Sequence, residues 1–115
     1  SLDELHIFYS DNLFGEWKPH QMNPVVSNAS SARPAGNIFL KDGKLIRPSQ
    51  DCSYSYGYSV KFNEIVELTE VIYSERFLYE IKPDWSKNNK GTHTYNFNED
   101  YEVIDGRISQ RRRFI

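Results

Sequence analysis

Arg33, Gln50, Asp51, Tyr56 and His93 are the side chains here best suited to gripping a hydroxyl-rich or acidic ligand. Arg33 lies between Ala32 and Pro34. A planar guanidinium can fork onto two hydroxyls or a carboxylate, and the proline would fix the local backbone. The alternative is a loop arginine capping nearby carbonyls. Gln50-Asp51-Cys52 falls where a strand should end and a loop begin, the position at which β architectures display binding groups. Asp51 would either accept hydrogen bonds from ligand hydroxyls or close an Asx turn on its own backbone. Tyr56 offers a ring for stacking, as do Trp17, Trp85 and Tyr95, although core packing is the default for aromatics on alternating strands. His93, flanked by Thr92 and Thr94, suits ligand or water binding, or else a structural hydrogen bond to a carbonyl.

Other residues point away from chemistry. Hydrolysis of a glycoside needs two carboxyl groups about 5–10 Å apart across a cleft. With 16 Asp plus Glu, candidate pairs are trivial to find and prove nothing. Glu64, Glu67 and Glu70 read as a solvated edge. His6, His20 and His93 share no metal-site spacing, so neither a metal nor a cofactor is expected. Cys52 reads as a small core filler and cannot form an internal disulfide, which excludes a disulfide scaffold. The net charge of -2 argues against a nucleic-acid partner. Arg107 and Arg111-Arg112-Arg113 form a basic tail at 107–115, read as solvated. Asn28-Ala29-Ser30 fits a glycosylation pattern that matters only in a secreted protein. No apolar run reaches the length of a membrane span and no signal-peptide pattern opens the chain. The start at Ser1-Leu2-Asp3 without a methionine reads as processing or an excised piece.

The elements that must position these groups are strands. A chain of 115 residues suits one domain, and 8 Tyr, 7 Phe and 2 Trp compensate for few aliphatics. Tyr54, Tyr56, Tyr58, Val60 and Phe62 recur at every second position, the period of a half-buried strand over 53–63. Residues 5–9 read as a short strand, 13–17 as leading into a second short strand that stops at Pro19, and 20–37 as a long turn-rich connection. Asp42-Gly43 between apolar runs predicts a hairpin over 39–46. Residues 61–72 also carry a helical spacing. Alternation resumes at Val71, so the favoured reading is a strand bulged near Asn63, a turn at 67–70, and a strand stopping at Pro83. Residues 83–91 read as a polar loop. Strands at 93–97 and 101–104 follow. The sum is about eight short strands, an antiparallel all-β protein. They group as two, four and two, as a β-propeller of four-stranded blades would if cut mid-blade at both ends.

Phe8 to His20 (FYSDNLFGEWKPH) resembles the outer-strand signature of five-bladed propellers related to family 43 glycoside hydrolases. Ser31 to Gly36 (SARPAG), Arg47 to Cys52 (RPSQDC), Tyr56-Gly57-Tyr58 and Gly91 to Asn96 (GTHTYN) extend the match in order and spacing. Together they look like the propeller domain at the N-terminus of glucosamine inositolphosphorylceramide transferases and bacterial relatives. The resemblance covers Leu5 to Gly106. It implies a partial β-propeller of about two blades: outer strands at 1–20, one complete blade at 33–83, and the first strands of a last blade at 91–106. The catalytic acids of such hydrolases come from earlier blades, so no catalytic residue carries over and this chain alone is expected to lack turnover. His93 corresponds to a last-blade histidine near the central axis.

The resulting expectation is a carbohydrate-associated propeller segment holding a sugar or sugar phosphate at Arg33, Gln50, Asp51, Tyr56 and His93. Its parent would be hydrolase-like or linked to a glycosyltransferase. The alternatives are a protein-interaction or scaffold β module without sugar chemistry, and a small standalone sandwich or barrel. Half-blades leave open strand edges, so self-association through Leu5–Tyr9 or Tyr101–Ile104 is expected.

Overall fold

A computed structural model describes residues 3–109. Among these the protein is all-β, with antiparallel pairing throughout and a single 3-10 turn at Pro83–Trp85 as its only helical element. No described helix is long and apolar enough to cross a membrane. The centre is a four-stranded sheet of β5 (Phe39–Lys41), β6 (Lys44–Asp51), β7 (Ser59–Leu68) and β8 (Tyr73–Ile81), joined in sequence order. Two short ladders precede it: β1 (Glu4–Leu5) with β4 (Val26–Ser27), and β2 (Phe8–Tyr9) with β3 (Lys18–Pro19). Two follow: β9 (Asn89–Gly91) with β12 (Arg107–Ile108), and between them β10 (Tyr95–Phe97) with β11 (Glu102–Ile104).

The β5–β6 hairpin turns on Asp42 and Gly43, both at positive φ (52° and 77°), the geometry whose twist matches the flanking strands. The pairing of β7 with β8 shifts between Phe62 and Asn63, where the bulge is expected, and again between Ile65 and Glu67. The following turn falls at Thr69–Ile72, two residues late. Thr69 fixes it there, its hydroxyl accepting the N–H of Ile72 at 2.9 Å. No helix forms over 61–72; the cross-strand pairing overrides the helical spacing.

The tyrosine strand is corrected. Tyr54 and Tyr56 lie outside β7, in a turn over 53–57, and both are exposed. Asp51 opens that turn by accepting from the Ser53 N–H (2.9 Å) and hydroxyl (2.5 Å), and Gly57 closes it at φ 63°. Local side-chain bonds of this kind compete with a ladder, and here they win over an alternation that continues past the strand's true start. Residues 13–17 lead through a turn into β3, which stops at Pro19 as expected, whereas the long connection over 20–37 contains β4. His93 precedes β10 and Tyr101 precedes β11. β9 arises in the presumed polar loop, and Arg107 of the supposed tail belongs to β12; residues 110–115 lie outside the described residues.

Residues 33–35 extend the sheet beyond β5. Arg33 O accepts from Gln50 N at 2.7 Å, Ala35 N donates to Pro48 O at 3.1 Å, and Ala35 O accepts from Tyr95 N at 2.8 Å. The 95–104 hairpin is thereby tied to β6. Phe62 lies at the centre of the core, with Ile46, Val60 and Ala35 beside it. The paired residues Arg47, Ser49 and Asn63 alternate with that apolar set and are buried too; Arg47 bonds Ser31 O at 2.6 Å. Gly36 sits where the hairpin docks, and a β-carbon there would overlap the Tyr95 carbonyl oxygen. Gly36→Ala is expected to cost about 1–3 kcal/mol by overpacking. It should also speed amide exchange at Tyr95 ahead of the β6–β7 amides; exchange accelerated equally everywhere would refute the local docking.

Candidate functional site

The extension at 33–35 places Arg33 beside the end of β6, next to the turn that carries Tyr56. The Arg33 guanidinium lies 5.3 Å from the Tyr56 ring centroid, and Nη2 donates to the Tyr56 hydroxyl at 3.4 Å. The Tyr56 ring in turn lies 6.0 Å from the His93 ring. This approach needs glycine at 57, because a β-carbon there would stand 2.8 Å from the His93 Cβ. Gly91 is equally constrained against the Gly57 carbonyl.

His93 pairs through Nδ1 with Asp105. The other Asp105 oxygen accepts from the backbone N–H of His93 and of Thr94 (2.8 Å each) and from the Thr94 hydroxyl (3.1 Å). The carboxylate therefore holds the imidazole in place, with Nδ1–H as donor and Nε2 without a protein partner among the described residues. Tyr56, Gly57, His93, Asp105, Gly106 and Arg107 wall an open cavity of about 400 Å³, within the usual size range for small-molecule sites. Three of the sequence-named residues, Arg33, Tyr56 and His93, thus form one contiguous surface. Asp105 and Arg107 were not among them. Asp105-Gly106 reads in sequence as a strand stop, and nothing in the spacing reveals its pairing with a histidine twelve residues earlier.

Gln50 and Asp51 stand behind this surface, outside the cavity wall. The Gln50 amide donates to Pro34 O at 3.0 Å, bracing the segment that carries Arg33. Asp51 caps the turn that carries Tyr56 and pairs with Lys61 Nζ at 3.3 Å. Cys52 is half-buried, its thiol 3.8 Å from the Gln50 side-chain Oε1. His20 is buried and bonds Thr69 O at 2.7 Å, while His6 is exposed beside Glu4. Glu64 pairs with Arg76 at 2.8 Å, which removes it from the freely solvated edge expected of it. Among the described residues no three His, Cys, Asp or Glu side chains gather as a metal site. A larger cavity of about 450 Å³ lies between Ile7, Phe8, Ile65, Leu68 and Tyr73. None of the sequence-named residues reaches it, and the Arg47 on its wall is saturated by Glu75 and backbone carbonyls.

Burial pushes the carboxyls of Asp51 and Asp105 up, but hydrogen bonds outweigh it. Ser53 and then Lys61 hold Asp51 below the usual carboxylate range; the His93 and Thr94 groups do the same for Asp105. A depressed folded value contributes stability above the unfolded value, about 4, and loses it as pH falls through the folded one. The urea midpoint is therefore expected to hold from neutrality to about pH 4.5 and to drop below that. An Asp51→Asn/Asp105→Asn variant should be less stable at neutrality and show a shallower acid drop. An equally steep drop in the variant would assign the acid sensitivity elsewhere.

The described architecture is that of an all-β, antiparallel segment with a ring-and-guanidinium surface at the end of its main sheet. Over residues 2–114 the chain matches the family described as glucosamine inositolphosphorylceramide transferase 1, N-terminal, and it belongs to that family. It is 36% identical over 95 residues to glucosamine inositolphosphorylceramide transferase 1 of Arabidopsis thaliana, covering 81% of this chain and 12% of that protein. The protein of the same name from Oryza sativa subsp. japonica is 43% identical over 74 residues, 63% of this chain and 10% of the relative. The chain thus spans about a tenth of the length of these relatives. No solved structure matches it significantly.

Proposed function

We propose that this chain is a carbohydrate-associated segment of a β-propeller, comprising its later blades, and that it binds a sugar without catalysing a reaction by itself. The observation that carries this reading is the continuous contact from Arg33 through Tyr56 to His93, drawn from three separate segments, of which Tyr56 and His93 line one cavity. A guanidinium fork, an aromatic face and a partner-free imidazole nitrogen are the groups that read hydroxyls and stack on a pyranose ring. Gln50 and Asp51 would act from behind by holding the Arg33 and Tyr56 segments. The parent protein would be companion to a glycosyltransferase, in keeping with relatives named as glucosamine inositolphosphorylceramide transferases, or hydrolase-like. The propeller reading draws support from the four-stranded blade-like sheet and from broad apolar exposure at Phe14, Leu40 and Tyr101, surfaces that neighbouring sheets would cover. Titration calorimetry against mono- and oligosaccharides tests the function. Arg33→Ala and His93→Ala should each weaken binding; binding unchanged in both would remove these residues from the site.

The same exposed groups favour a second reading, a scaffold β module that contacts other proteins. It carries its own expectation. Each outlying ladder has only two strands, leaving one edge of β1, β2 and β11 open among the described residues. Such edges recruit partners. Light scattering should show self-association at high concentration, reduced by Val103→Lys; a clean monomer would count against it.

A further inference from the structure

We infer that the cavity between Phe8 and Leu68 is a docking groove for an extended peptide of a partner protein, an apolar segment carrying lysine or arginine. It shares no wall residue with the Tyr56–His93 cavity and is independent of the sugar reading. Residues 7–11 all line it, whereas no residue of β3 does. Successive strand side chains point to opposite faces, so five consecutive residues line one space only along the strand's edge. β2 pairs with β3 alone among the described residues. Hydrogen-bonded and non-bonded pairs alternate in an antiparallel ladder, and His20 N donates to Ile7 O at 3.0 Å. The next pair, Phe8 with Pro19, is therefore non-bonded, which turns the Phe8 N–H and C=O away from β3 and toward the groove. An added strand would meet those groups.

The chemistry of the peptide follows from the walls. Phe8, Ile38 and Leu68 line the groove with about half of their surface exposed, area that an apolar side chain would remove from water. Most polar groups on the walls are spent inside the protein. Ser10 donates to Asn12 O, both His20 nitrogens are bonded, and the Thr69 hydroxyl accepts from Ile72 N. Arg47 and Tyr73 share Glu75. The carboxylates are not spent. Asp11 and Glu70 line the groove, and an adjoining cleft of about 70 Å³ adds Glu16 and Lys18 to them. Among the described residues none of these four is in an ion pair, which leaves three negative charges against one positive. The acids do not gather as a metal site, so their complement is a basic side chain of the peptide.

A displayed library of randomised hexapeptides, selected against the full chain, tests this. Enriched sequences should join an apolar run to lysine or arginine, and the best of them, made as a soluble peptide, should bind in titration calorimetry. Asp11→Asn/Glu70→Gln and Leu68→Ala, each with circular dichroism matching the parent, should weaken that binding about fivefold. N-methylation of the peptide's central amides should cost about as much, because it removes the donors that a strand edge needs. Enrichment without basic residues, affinity unchanged in either variant or by N-methylation, or no enrichment at all would overturn the inference. So would light scattering that shows a dimer dissolved by Leu68→Ala, since the groove would then hold a second copy. None of these outcomes bears on the sugar titrations.

Discussion

Glu75→Ala is expected to destabilise the protein by about 3–5 kcal/mol, a large share of the roughly 5–15 kcal/mol that holds a domain folded. Glu75 accepts from Arg47 Nε at 2.8 Å and from Nη2 at 2.7 Å, and from the Tyr73 hydroxyl at 2.5 Å. The pair is enclosed, with side-chain exposures of 4% for Arg47 and 13% for Glu75. Burial works against the charged guanidinium, yet Glu75 outweighs it and holds the group's proton more firmly than in water. Burial and Glu75 also push the Tyr73 phenol well above its ordinary value. Without the carboxylate, a cation is left in the interior with only the Ser31 and Ala32 carbonyls to face. Glu75→Gln keeps an acceptor and should cost less. Urea unfolding of both variants checks this; a loss below about 1 kcal/mol in Glu75→Ala would place the pair in the surface class, where ion pairs contribute little.

Phe62→Ala should cost a similar amount, about 3–5 kcal/mol, by a different mechanism: lost transfer energy plus an unfilled cavity. The Phe62 ring is almost completely buried, stacks on Tyr79 at 4.6 Å, and meets Tyr95 edge-on at 5.0 Å and Phe39 at 6.4 Å. It therefore touches β5, β8 and the β10 hairpin together. Phe62→Leu retains most of the volume and should cost clearly less. Equal costs for the two variants, measured by denaturant midpoints at unchanged m, would mean the site does not collapse around a void.

The four-stranded sheet was legible in sequence because its cues are local and redundant. Asp42-Gly43 sets the first hairpin, and Pro83 follows closely on the end of the last strand. The bulge near Asn63 was visible as a change of phase in the apolar alternation. What misled was the same alternation read too far: Tyr54 and Tyr56 keep the period of two, but Asp51, Ser53 and Gly57 supply local bonds and a positive φ that favour a turn. β1 to β4 and β9 to β12 are two or three residues long, too short to carry a period at all. Their pairings follow from tertiary contacts, such as Asn89 Oδ1 accepting from Arg107 N at 3.0 Å. Among the site residues, Arg33, Tyr56 and His93 were chosen for side-chain chemistry and lie together. Asp105 escaped notice because a lone acidic residue before glycine is the commonest of turn signals.

One side of the Tyr56–His93 cavity wall is built late in the chain. Asp105, Gly106 and Arg107 all follow the last strand whose pairing partner contributes a ring to the core. A protease cut after Ile104 would release the tether on His93 and detach Arg107 while leaving the Phe62 cluster whole. Trimming at that point is expected to leave the main sheet folded while dismantling the cavity proposed to hold the ligand.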